Sequence, residues 1–180
     1  MTVLRSGAFL IGAIALAVYA IVMIFKKVPA QKFFINLAFG AYLAFIIAMC
    51  FFPIKITPYG EDVANNLIPF KSIVQSFSES FAEHTPYGLV SVFGNFAMLM
   101  PLGVFFHYYI KDYKMRFLGI VLFSVCIELM QFIIGLLIGY NYRCVDIDDV
   151  ILNSLGGIIF LLIFEGIIKR VKKRKSKKQG

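Results

Sequence analysis

The chain has 180 residues, of which 60% are hydrophobic and only 16% are charged, and its mean hydropathy is +0.83. Soluble domains run at about 45–50% apolar and about 25% charged residues, so a water-soluble globular domain is excluded and a polytopic membrane protein is expected. The net charge of +8 comes from basic clusters beside apolar runs, which points to membrane orientation and anionic headgroups rather than to nucleic acid.

In chain order, the first apolar run is 7–25. "AVYA" at 17–20 resembles a cleavage site, but the run continues to Phe25, so it is read as a span and not as a removed signal peptide. Lys26, Lys27 and Lys32 precede a second run at 33–53. The segment 54–86 is too short for a folded domain. Within it, "NLIPFKSIVQSFSESF" places Phe70, Ile73, Val74, Phe77 and Phe81 at helical spacing after Pro69, which predicts an amphipathic interfacial helix over 69–81. It is either a lid packed on the span ends or a lipid-facing gate.

The third run, 87–110, carries Ser91 and Asn95 on one face, with Pro101 interrupting the backbone ladder below them. Lys111, Lys114 and Arg116 follow, then a fourth run at 116–139. A fifth run at 149–168 leads into a basic tail at 169–180. Each run has about 20 residues, enough for a hydrocarbon core of about 30 Å, and only helices satisfy the backbone there. The fold class is therefore an all-α membrane protein with five transmembrane helices in a single domain, 1–180. Fourteen of the eighteen Lys and Arg residues fall on one side of such a chain. The positive-inside rule then puts the N-terminus outside and the C-terminus in the cytoplasm.

The expensive groups lie in and between the last two spans. Ser124, Glu128, Gln131 and Gly135 form one stripe of the fourth span, and Asp149, Asn153 and Gly156 form one on the fifth. Arg143, Asp146, Asp148 and Asp149 stand between them. From the helical rise, Asn95 and Gln131 lie about 12 Å below the outer surface, Glu128 about 16 Å and Asn153 about 6 Å. Three spans thus aim polar groups towards an outward-facing pocket. An ionised side chain at mid-bilayer costs about 2.5–3.5 kcal/mol, so Glu128 must be neutral, wetted or paired, with Arg143 as its nearest candidate. Asn95, Gln131 and Asn153 also suit interhelical hydrogen bonding, and Gly135, Gly139, Gly156 and Gly157 suit close helix packing. Cysteine usage gives no framework: Cys126 is mid-span, and Cys50 and Cys144 both fall near the outer face, where a bridge is conceivable. His84 and His107 are isolated, and no His/Cys metal spacing occurs.

"NLIPF" at 66–70, "NFAMLMPLG" at 95–103, the Glu128–Gln131 pair and "RCVDIDDVILNSLGG" at 143–157 together resemble the VanZ-like family of small bacterial membrane proteins, over about 65–157. The resemblance implies a multi-pass bacterial cell-membrane protein. It also implies an association with low-level resistance to teicoplanin, a lipoglycopeptide antibiotic directed at cell-wall precursors outside the membrane. Its family residues fall on Asn95, Pro101, Gly103, Glu128, Gln131, Arg143, Asp146, Asp149, Asn153 and Gly156, with Asp148 beside them.

Three functions fit these residues. An enzyme at the outer leaflet would use Glu128, Arg143, Asp146 and Asp149 as its chemistry. Glu128 would serve as general acid or base, Arg143 would hold phosphate or carboxylate, and Asp146 with Asp149 could hold a divalent cation. A binding protein would use Asn95, Ser124, Gln131 and Asn153 to hold a membrane lipid, a lipid-linked wall precursor or a lipoglycopeptide. A small transporter or proton-coupled carrier is the third reading. Neither an internal repeat nor a serine–histidine pairing is visible.

Overall fold

The structure, a computed structural model, describes residues 2–57 and 60–179. It is helical apart from one two-stranded ribbon and packs as two compact units.

The first unit holds residues up to Val63 together with Gln131–Arg143. Two long apolar helices, α1 (Arg5–Phe25) and α2 (Ala30–Phe51), form a hairpin. Strand β1 (Thr2–Val3) pairs antiparallel with β2 (Ile54–Lys55), which ties the start of α1 to the chain leaving α2. Much of the apolar surface of α1, including Leu10, Ile11, Ile14 and Ile24, is exposed. Exposed leucine and isoleucine on this scale suit hydrocarbon as solvent.

The second unit contains α3 (Lys71–Ala82), α4 (Tyr87–Met98), α5 (Met100–Tyr109), α6 (Tyr113–Ile138) as far as Met130, and α7 (Ile147–Gln179). Its core is Leu99, Leu102, Ile120 and Leu161, all fully buried. The third apolar run is one span made of two helices. The ladder stops at Leu99, and Pro101 sits at the start of α5, where its missing N–H costs nothing. Helices α4 and α5 both pack along α7. Gly156 allows this approach: a Cβ built there would overlap the Phe96 carbonyl oxygen.

Several expected boundaries and roles move. The helix expected from Pro69 begins at Lys71, after Phe70, which is held at φ 66° in the left-handed region. It docks on α4 through its serines: Leu89 N–H donates to Ser80 Oγ at 3.1 Å, while Phe70, Val74 and Phe81 stay exposed. The basic tail continues α7 as helix to Gln179. Gly139 is not a packing glycine. At φ 87° it ends α6, with its N–H and that of Tyr140 both bonded to the Gly135 carbonyl, and nothing lies within 4 Å of a Cβ built there.

Candidate functional site

The first four N–H groups of a helix have no partner inside it, and near a membrane such groups must be satisfied by the protein. At the start of α7 and α3 that work falls to carboxylates. Asp146 precedes α7 and accepts the Asp148 N–H at 2.8 Å, as an N-cap does. Its same oxygen accepts Asn66 Nδ2 at 2.8 Å. Glu128 on α6 reaches the same junction, where Oε2 accepts the Asp146 N–H at 3.0 Å. Negative charge is favoured there by the α7 dipole. Asp148, almost wholly buried, turns to another helix and accepts the N–H groups of Phe70, Ser72 and Ile73 at the start of α3.

Around this junction, Asn66 pairs with the chain beside Asp146. Its N–H donates to Val145 O, and its own carbonyl accepts the Ile147 N–H, both at 2.9 Å. Asn95 on α4 donates to Asp149 Oδ1. Ser124 on α6 donates to the Val150 carbonyl at 3.3 Å. A cavity of about 240 Å³ opens here, walled by Ser72, Ser76, Ser91, Asn95 and the carboxylates of Asp146, Asp148 and Asp149. Cys144 also lines it. Burial pushes that thiol above its ordinary range, with the Asp146, Asp149 and Glu128 charges adding to the rise and a hydrogen bond to the Asn66 backbone opposing it. Asn153 is 1% exposed, and neither amide atom has a hydrogen-bond partner among the described residues. It lies on the α7 stripe between Asp149 and Gly156, the face turned to α4.

In the first unit the orphans are carbonyls, the last three of α2 and that of its cap, Phe52. Arg143 Nη2 donates to Met49 O at 3.2 Å and Phe52 O at 3.0 Å. Gln131 Nε2 donates to Cys50 O at 2.9 Å, Tyr142 Oη to Phe51 O at 3.3 Å, and Arg5 Nε to Phe52 O at 2.8 Å. Cationic and amide donors are the groups a helix C-terminus attracts. Burial raises the Tyr142 phenol above its usual range, with Arg143 opposing. The predicted constellation therefore divides. Asn95, Ser124, Glu128, Asp146 and Asp149 belong to the second unit with Asn153, whereas Gln131 and Arg143 serve α2 in the first.

Neither Asn66 nor Asp148 carries a local signal of its role in the sequence. Asn66 stands within "NLIPF", but only its distant pairing reveals its work. A second polar cluster was also missed. Glu165 on α7, 6% exposed, is ion-paired with Arg116, and His107 Nδ1 lies 3.3 Å from the carboxylate and 3.1 Å from the guanidinium. His107 is thus not isolated. Arg116 also closes the end of α5 by donating to Ile110 O at 2.7 Å. The three cysteines remain thiols, and no bridge joins Cys50 to Cys144.

Among the described residues, no group of three or more His, Cys, Asp or Glu side chains is placed to hold a metal ion. The cation considered for Asp146 and Asp149 would compete with the amides that already engage them, and two carboxylates fall well short of the 6–8 oxygens that Ca²⁺ takes.

Five helices long and apolar enough to cross a membrane, with buried carboxylates set at their termini, define a multi-span membrane protein. The chain belongs to the VanZ/LLP1 family, which matches residues 39–169. That stretch is wider than the quoted motifs and runs from within α2 through the apolar part of α7. No curated protein and no solved structure matches the chain.

Proposed function

We propose that this protein holds the polar part of an amphiphilic envelope molecule, a membrane lipid, lipid-linked wall precursor or lipoglycopeptide, in the acidic cavity of its second unit. The observation carrying this reading is the cavity itself: three aspartates, three serines and Asn95 gathered around about 240 Å³ in a chain this apolar. Serine hydroxyls and carboxylates suit a hydroxyl-rich or amino-bearing group. The fourteen-to-four division of Lys and Arg supports an orientation in which this end faces outside and α3 lies at the outer interface. In this reading Asn95, Ser124 and Asn153 position the ligand or the helices around it, while Gln131 and Arg143 close the end of α2 in the first unit and take no part. Glu128, Asp146 and Asp149 carry whatever chemistry follows, and the buried amide of Asn153, without a hydrogen-bond partner among the described residues, is the group most in need of a polar ligand or water.

The test is glycopeptide susceptibility in a host lacking the native protein, with expression controls. Glu128→Gln retains an oxygen for the Asp146 N–H, so the protein should accumulate normally while the phenotype is lost. Asp149→Asn should behave alike. Full phenotype in both variants would reduce the carboxylates to helix caps and sink the proposal.

A carrier is a second reading, favoured by one observation. Buried carboxylates occupy both ends of the α6–α7 pair, Glu128 at one and Glu165 at the other. Intramembrane carboxylates recur along proton routes. Proton uptake by vesicles containing the purified protein, lost in Glu165→Gln, would support it.

A further inference from the structure

A second cavity, of about 640 Å³, lies in the first unit. Its walls are the chain that leaves α2 and the turn that leaves α6, including Lys55, Glu61, Tyr140, Tyr142 and Arg143. Both segments follow directly from candidate membrane spans, which sets the cleft at the level of lipid headgroups. Its volume is that of a small-molecule site, about 300–1,000 Å³.

Its charge is the informative feature. Arg143 gives Nη2 to Met49 and Phe52, and its Nε and Nη1 have no partner among the described residues. The Lys55 ammonium likewise has none among them. Among the described residues lining the cleft, Glu61 is the one carboxylate, and it is exposed. The tyrosine hydroxyls are already donating, Tyr140 to Lys55 O and Tyr142 to Phe51 O, so the phenols hold the wall in place while the two cations remain available. A guanidinium fork beside a point-charge ammonium suits phosphate oxygens. Glu61 would accept a hydroxyl from the same ligand and repel a second acid.

We propose that this cleft binds the phosphate of a hydroxyl-bearing headgroup. The proposal goes beyond the acidic cavity of the other unit and does not need it.

The experiment uses the full chain, purified and delipidated. Native mass spectrometry follows its titration with phosphatidylglycerol and with phosphatidylcholine, and equilibrium dialysis follows inorganic phosphate. Phosphatidylglycerol is expected to bind more tightly than phosphatidylcholine, whose choline cation meets Lys55 and Arg143. Lys55→Gln should weaken that binding roughly fivefold, and Lys55→Arg should restore it. Competition by inorganic phosphate identifies the phosphate as the recognised group. Phosphate binding without lipid binding, still weakened by Lys55→Gln, makes the source a free phosphate. The proposal is overturned if neither probe binds. It is overturned equally if both bind unchanged in Lys55→Gln and in an Arg143→Lys variant that keeps its helical circular dichroism.

Discussion

Asp148 lies in the first turn of α7, yet its carboxylate is bonded to three backbone N–H groups at the start of α3. Removing it strands those donors and leaves Phe70 in the left-handed region without its anchor. Asp148→Ala should cost about 2–3 kcal/mol, the value of hydrogen bonds to a charged group, and Asp148→Asn distinctly less. Thermal unfolding in detergent gives the size. Hydrogen exchange should show the amides of Ser72 and Ile73 losing protection before the rest of the helix. Cys144 makes a prediction in pH. Burial and neighbouring carboxylates raise its folded pKa above the unfolded value, so the folded protein keeps the proton longer. The stability this contributes is full below the unfolded value and is lost as pH rises through the folded one. With Cys50 and Cys126 replaced by alanine, alkylation of Cys144 should reach half its maximal rate at a higher pH than in the denatured chain. A midpoint at or below the denatured one would contradict a thiol shielded from water among carboxylates. Asp149→Asn should draw the midpoint down by removing one of the charges that lift it.

At the scale of elements, α7 is the spine of the second unit, and its seam with α4 and α5 depends on backbone contact rather than on side-chain interlock. Gly156 faces the Phe96 carbonyl with no room for a methyl group. Gly156→Ala should therefore force the helices apart at a cost of about 1–3 kcal/mol, read as a lower unfolding temperature. Gly139→Ala tests a different demand, since its φ of 87° and not its surroundings excludes a side chain. The sequence pattern located α1, α2, α6 and the Pro101 interruption closely, because long apolar runs and proline act locally. It misjudged what the stripe on α6 does. Ser124, Glu128 and Gln131 do share a face by periodicity, but a helix of 26 residues meets different neighbours along its length. Ser124 and Glu128 serve α7, whereas Gln131 serves α2. Spacing reports direction from the axis and says nothing of which terminus waits at the end of a side chain.

For the whole molecule, the orientation is the prediction with the widest consequence. Cysteines introduced singly by Glu61→Cys or Asn141→Cys, in a chain lacking the native three, should react with an impermeant reagent on intact cells. Tyr113→Cys and Ser176→Cys should be protected until the membrane is opened. The opposite pattern would place both cavities on the cytoplasmic side and end their association with envelope ligands. The class of fold was readable from composition and run length, since both reflect the solvent around the whole chain. The polar sites were only half readable. The sequence contains Asn66, Asp148 and Glu165 as plainly as it contains Glu128. Their roles rest on partners 49 to 80 residues away, and no local pattern encodes a distance of that kind.

The end of α2 has a consequence for how the protein is made. Its terminal carbonyls are closed by Gln131, Tyr142 and Arg143, which follow them in the chain by 81 to 94 residues. At a synthesis rate of about 5–20 residues per second, that interval lasts roughly 4 to 19 s. Among the described side chains that donate to these carbonyls, Arg5 alone precedes them in the chain, so the end of α2 is completed after insertion of its hairpin, once the turn after α6 emerges. A ribosome halted before residue 131 would release a hairpin with an open end, the kind of product that membrane quality-control proteases are placed to remove.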